Sequence, residues 1–126
     1  MFNKEDKTLE HLLDLNGVRY VVDDALGLWV KFEVKRVRMI SNRSHNIRYS
    51  LSLHDSSNIR ILGFDNAHAI KFGGKSNVPS KRVLDHWHCN DKDRGRPYLY
   101  ENAAKLLEDF WREVDKKIKL LKKGEK

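Results

Sequence analysis

Three of the chain's six histidines fall in two short segments. GFDNAHAIKF, residues 63–72, holds Asp65, Asn66 and His68, and DHWHC, residues 85–89, holds Asp85, His86 and His88. Imidazole titrates near neutral pH, so a pair of them can give and take protons within one reaction cycle. On a strand, His86 and His88 point to one face while Asp85 and Trp87 point to the other. Asp65 and His68 stand at a strand end, where a curl of the chain turns both inward. If the two segments are neighbours, imidazoles and a carboxylate converge, which makes His68, His86, His88 and Asp65 the candidate catalytic residues.

Two chemistries fit such a cluster. In metal-free RNA cleavage, one histidine takes the proton of the ribose 2′-OH, and that oxygen attacks the adjacent phosphorus. A second histidine protonates the leaving 5′-oxygen, and an Arg or Lys stabilises the phosphoryl charge. In a metal site, His86 and His88 would be ligands together with Asp65 or His68. His-x-His is a usable ligand spacing that also arises by accident. The imidazoles lie beside a basic surface with few carboxylates, so the expectation is the metal-free route, with no metal and no cofactor. The plain structural alternative makes the histidines hydrogen-bonding struts and Trp87 a core residue. Other chemistries lack their signatures. There is no Gly-x-Ser-x-Gly elbow, no Walker or dinucleotide glycine pattern, and Cys89 faces away from the adjacent His88 on a strand.

The elements that must hold these residues are mostly strands. LWVKFEVKRV alternates, with Leu28, Val30, Phe32 and Val34 to one side and Trp29, Lys31, Glu33 and Lys35 to the other. IRYSLSLHD repeats the pattern, burying Ile47, Tyr49, Leu51 and Leu53 and leaving Arg48, Ser50, Ser52 and His54 outside. NIRILGFDN reads as a third strand after a turn at Asp55-Ser56-Ser57-Asn58. Asn16-Gly17 between apolar segments suggests a type I′ hairpin, against the competing short helix Lys7 to Leu15 capped by Gly17. AIKFGGKSNVPSKR, rich in Gly, Ser, Lys and Pro, reads as a long loop, and DKDRGRP as a turn-rich stretch. ENAAKLLEDFWREVDKKIKLLKKGEK is a helix whose stripe is Ala103, Leu107, Phe110, Val114, Ile118 and Leu121. Acid residues lead it and lysines end it. The fold expected is α+β: an antiparallel meander of four to six strands with a long C-terminal helix packed on one face.

The bulk composition narrows the class of partner. At 126 residues the chain is read as one domain, long enough for a real core. Its net charge of +7 favours polyanions, RNA or DNA first among them; the bland alternative is solubility alone. The densest positive stretch, VKRVRMISNRSHNIR, holds Lys35, Arg36, Arg38, Arg43 and Arg48 with no acid among them. It is either a phosphate-binding track or a solvated face. One cysteine precludes an internal disulfide and suits a reducing cytoplasm, and no apolar run is long enough to cross a bilayer.

Taken in order, LWVKFEVKRV, IRYSLSLHD, ILGFDNAH, DHWH and GRPYLYENAAKLLEDFWREV resemble the TumE-like toxins of bacterial and archaeal toxin–antitoxin modules. The resemblance runs from about Leu9 to about Leu120. Its motif falls on Asp65, Asn66, His68, Asp85, His86 and His88, and also on Arg96, Pro97 and Tyr98. It implies a cytoplasmic toxin encoded beside a cognate antitoxin of helix-turn-helix type, with ribonuclease activity the usual presumption for such toxins. RNA contacts are then expected from Lys35, Arg36, Arg38, Arg48 and Arg96. The rival expectation is a non-enzymatic module that binds nucleic acid or a partner protein through its basic sheet face.

Overall fold

The computed structural model describes residues 7–37, 47–66, 70–73, 80–83 and 85–124. Helix α1 (Lys7–Asp14) is followed by strands β1 (Arg19–Asp23), β2 (Leu28–Arg36), β3 (Ile47–His54) and β4 (Arg60–Asp65). Then come β5 (Ile70–Gly73), β6 (Ser80–Val83), β7 (His86–His88), β8 (Arg96–Pro97) and helix α2 (Ala103–Lys122). Six strands form one antiparallel sheet in the order β1-β2-β3-β4-β7-β8, and β5 and β6 pair apart from it as a hairpin. This is the expected α+β meander with a long C-terminal helix.

The alternation of β2 and β3 decides which face is apolar. Val30 lies opposite Leu53, Phe32 opposite Leu51 and Val34 opposite Tyr49. All of these are buried, as are Leu62 and Phe64 on β4. The stripe of α2 covers this face, with Ala103, Leu106, Leu107, Phe110 and Val114 buried. Phe110 is the keystone: its ring meets Phe32 at 5.7 Å and Phe64 at 6.1 Å, both edge-on, and Trp111 at 5.4 Å. Such edge-to-face pairs add to the area buried. Helix α1 packs beside α2 and β2, burying Leu9 and Leu12. Among the described residues no helix is long and apolar enough to cross a membrane.

Three local expectations are corrected. Asn16-Gly17 is not a hairpin turn but the end of α1, where Gly17 adopts a φ of +83°. Its N–H donates to the Phe32 carbonyl at 2.7 Å, and the Asn16 side chain accepts from the Val34 N–H at 2.9 Å. The dipeptide therefore welds the helix end to β2, because Leu9 and Leu12 gain more from burial than a free hairpin would. The real hairpin joins β1 to β2 through Asp24–Gly27. The stretch read as a long loop forms the β5–β6 hairpin, with Ile70 opposite Val83 and Phe72 opposite Lys81; its Gly and Ser content masked two short strands. Finally, no acid occupies the first turn of α2, which is capped instead by Asn102 accepting from the Lys105 N–H at 2.8 Å. The lysine end is as expected, with Lys119 and Lys122 in the last turn. The Asp55–Asn58 turn also stands, its Asp55 carboxylate accepting from the N–H groups of Ser57 and Ile59.

Phe110→Ala removes the ring on which three aromatic contacts converge. It should cost about 3–5 kcal/mol of stability, read as a shift of the urea-unfolding midpoint. A change below about 1 kcal/mol would mean that the core closes over the gap.

Candidate active site

Strand β7 returns to pair with β4 after the β5–β6 excursion, setting Asp65 opposite His86, Phe64 opposite Trp87 and Gly63 opposite His88. Phe64 and Trp87 stack on the helix side at 5.5 Å. By alternation Asp65, His86 and His88 share the other face. His86 Nε2 lies 3.2 Å from an Asp65 carboxylate oxygen, and the two imidazole rings meet edge-on at 4.9 Å. One ligand atom from each of Asp65, His86 and His88 lies within 4.8 Å of the others. The cluster is buried, with His86 only 2% exposed.

Its neighbours hold it from both sides. Asn66 is fully buried and continues the ladder with its side chain, accepting from the Tyr49 N–H at 2.8 Å and donating to the Ile47 carbonyl at 2.9 Å. Asp85 accepts from the Tyr49 hydroxyl at 2.9 Å. Burial first, and then the Asp85 carboxylate, raise the Tyr49 phenol well above its ordinary value, so it stays a neutral donor. The acidic and amide residues beside the histidines are thus partly scaffold.

His88 is oriented by the loop after β7. Its Nδ1 lies 2.7 Å from the Asp93 carbonyl. A carbonyl only accepts, so Nδ1 carries the proton and Nε2 keeps a bare lone pair. Burial lowers the His88 pKa, opposed by this hydrogen bond. The Asp93 carboxylate in turn accepts from the Cys89 and Gly95 N–H groups. Burial would raise its pKa, but these backbone bonds prevail and bring it down to about 2.

Next to the cluster lies a cleft of about 600 Å³ on the face away from the helices, lined by Glu33, Lys35, Arg48, Ser50, Arg60 and Asp65 among others. Lys35 and Arg48 are cross-strand partners there. Asp65 belongs both to this lining and to the buried cluster. Two other candidates for RNA contacts sit elsewhere. Arg36 points toward α1 and pairs with Glu10 at 2.7 Å. Arg96 lies opposite Trp87, with its guanidinium 5.1 Å from that ring and 3.2 Å from Asp93. His68, Arg38 and Arg43 lie outside the described residues.

Arg60 is the cleft residue that sequence reading missed. Strict alternation puts it on the core side with Leu62 and Phe64. The register slips between Leu53 and His54, so that Leu53 faces Leu62 but His54 faces Arg60, leaving Ile61 as an extra residue. That bulge turns Arg60 to the polar face. No sequence signal other than the turn just before it hints at the slip.

Two expectations arise from this geometry. Asn66→Ala strands the Tyr49 N–H and the Ile47 carbonyl in a dry place and should cost about 2–5 kcal/mol; a loss below about 0.5 kcal/mol in urea unfolding would mean that other groups take over. For His88, imidazole NMR should show a proton on Nδ1 at pH 7 and a midpoint below the ordinary 6.5. The unfolded chain then takes up the proton first. The stability His88 contributes is full above about pH 6.5 and is lost as pH falls from there toward the lowered folded value. A midpoint at or above 6.5 would contradict this.

Comparison with curated proteins and with solved structures gives no match. A family model does match, that of the toxin TumE, and it spans residues 9–118. Among the described residues, that span takes in most of both helices, strands β1 to β8 and every residue of the buried cluster, and the chain belongs to the TumE toxin family.

Proposed function

We propose that the chain is the toxin of a toxin–antitoxin module and acts in the cytoplasm as a metal-independent endoribonuclease. The observation that carries this is the double position of Asp65: a buried histidine holds its carboxylate at 3.2 Å, while the same residue lines a cleft that also presents Lys35 and Arg48. A polyribonucleotide lying in the cleft would bring its phosphates to the cations and a ribose to Asp65. The Asp65–His86 pair accepts the 2′-OH proton, and the resulting oxyanion attacks the adjacent phosphorus. The 5′-oxygen leaves with a proton from a second imidazole; neutral His88 presents a bare Nε2 and gives one only as the imidazolium, so His68 is the candidate acid. Arg48 and Lys35 offset the charge gathering on the phosphoryl oxygens. With a net charge of +7, the free toxin also suits an antitoxin that presents an acidic surface, which the family implies as its partner.

One observation favours a second reading. Asp65, His86 and His88 converge closely enough to ligate one ion, and a backbone carbonyl fixes the His88 tautomer, a common orienting device for metal-bound imidazole. The same RNA would then be cut by metal-assisted hydrolysis.

Purified chain incubated with end-labelled RNA in a chelator separates the two. The acid–base route keeps its rate and leaves 2′,3′-cyclic phosphate ends. The metal route loses its rate and regains it with a single divalent ion. Under the acid–base route, Asp65→Asn, His86→Ala and His88→Ala are each read against wild type. At least one should fall by about 10²- to 10⁴-fold with circular dichroism unchanged. RNA binding without cleavage would instead favour the non-enzymatic module.

A further inference from the structure

Several cations outside the cleft are already paired: Arg36 with Glu10, Arg96 with Asp93, Lys122 with Asp23, and both Lys105 and Arg112 with Asp109. The cleft is different. Lys35, Arg48 and Arg60 all line it, and among the described residues none of the three has an ion-pair partner. The nearby Glu33 is taken up by Lys31 at 3.6 Å. Beside Asp65, that concavity presents three cations without an ion-pair partner among the described residues, which suits an anionic ligand.

Arg60 is the least exposed of the three, and the chain makes room for it. Its side chain runs across Gly63, in a central strand between β3 and β7. A Cβ on Gly63 would stand 3.1 Å from Arg60 Cδ and 3.3 Å from its Nε. Gly63 does not have the positive φ that requires glycine, and a glycine inside a strand weakens it. Room for the Arg60 side chain therefore accounts for this glycine better than any backbone demand. Gly63 stands opposite His88, so the Arg60 side chain that crosses Gly63 reaches the strand position beside the histidine cluster while lining the cleft. His88 and His54, whose pKa values burial lowers first, are each lowered further by the Arg60 charge.

We propose that Arg60 is the innermost phosphate-binding cation of the cleft, seated by the bulge at Ile61 and by the missing side chain at Gly63. A guanidinium offers two parallel donors to one phosphate, whereas an ammonium offers a point charge. The proposal rests on the polyribonucleotide reading above and adds the residue that grips the phosphate beside Asp65.

The test uses a fluorescent 2′-O-methyl oligoribonucleotide, which binds but cannot be cut through its 2′ position. Affinity is measured over a range of salt for the wild type, Arg60→Ala, Arg60→Lys, Gly63→Ala and the double variant Gly63→Ala/Arg60→Ala. Arg60→Ala should weaken binding by roughly threefold to tenfold and lower the salt slope by about 0.7 to 1. Arg60→Lys should keep the slope and lose part of the affinity. Gly63→Ala should weaken the wild type but add nothing in the Arg60→Ala background, since only the arginine has to move. An unchanged affinity and slope in Arg60→Ala overturns the proposal. So does a Gly63→Ala effect of equal size with and without the arginine. Should Arg60→Ala fail to fold, unchanged binding by Gly63→Ala overturns it instead. Cleavage of ordinary RNA by the wild type is run in parallel. If that fails while the binding pattern holds, the ribonuclease reading falls and the phosphate grip of Arg60 stands.

Discussion

One register governs this molecule: Ser50 opposite Asp65, and Asp65 opposite His86. Side chains alternate with a strict period of two, so a slip of one residue at β4 or β7 would exchange the two faces. Phe64 and Trp87 would leave the aromatic layer under α2, and a carboxylate or two imidazoles would enter it. The apolar face and the polar face are therefore fixed by the same pairing. The burial of Phe64 against Phe110 at 6.1 Å therefore also fixes where Asp65 and His86 stand.

The polar face is not uniform. Toward β2 and β3 it is open and positive, with Lys35 and Arg48 exposed. Toward β7 it closes, and Asp65, His86 and His88 sit in a dry environment where an ion is costly unless paired. Asp65 stands at the border of the two regions. Under the proposed acid–base route, a proton moving between the wet cleft and the buried imidazole would have to cross that border, where the Asp65 carboxylate has one side in each. Asn66 and Tyr49 keep the border rigid by satisfying backbone and carboxylate groups that water cannot reach.

Much of this was legible in the sequence. The strict alternation of Leu28 to Lys35 and of Ile47 to His54 gave both faces, and the stripe from Ala103 to Leu121 gave the covering helix. The sequence groups Asp65, His68, His86 and His88 as one cluster if their segments are neighbours; strand pairing brings Asp65, His86 and His88 together, while His68 lies outside the described residues. What could not be read was set by tertiary contact. Asn16-Gly17 has the local signature of a hairpin, yet packing of Leu9 and Leu12 makes it a helix end. Arg36 and Lys35 look equivalent in the basic run, but adjacent residues on a strand face apart, and Arg36 meets Glu10. Arg60 was hidden because a bulge breaks the period on which the reading depended.

The β5–β6 hairpin leaves the sheet after Asn66 and comes back at Asp85, and both ends of the excursion are pinned, by Asn66 on the β3 backbone and by Asp85 on the Tyr49 hydroxyl. Such an arrangement separates length from geometry. The entropy of closing a loop grows only with the logarithm of its length, so doubling the excursion would cost about 0.6 kcal/mol. The segment can therefore lengthen, shorten or change its composition over evolutionary time while the carboxylate and imidazoles on either side of it keep their distance. A toxin that must match a particular antitoxin has there a stretch it can rewrite without disturbing the pairing of Asp65 with His86.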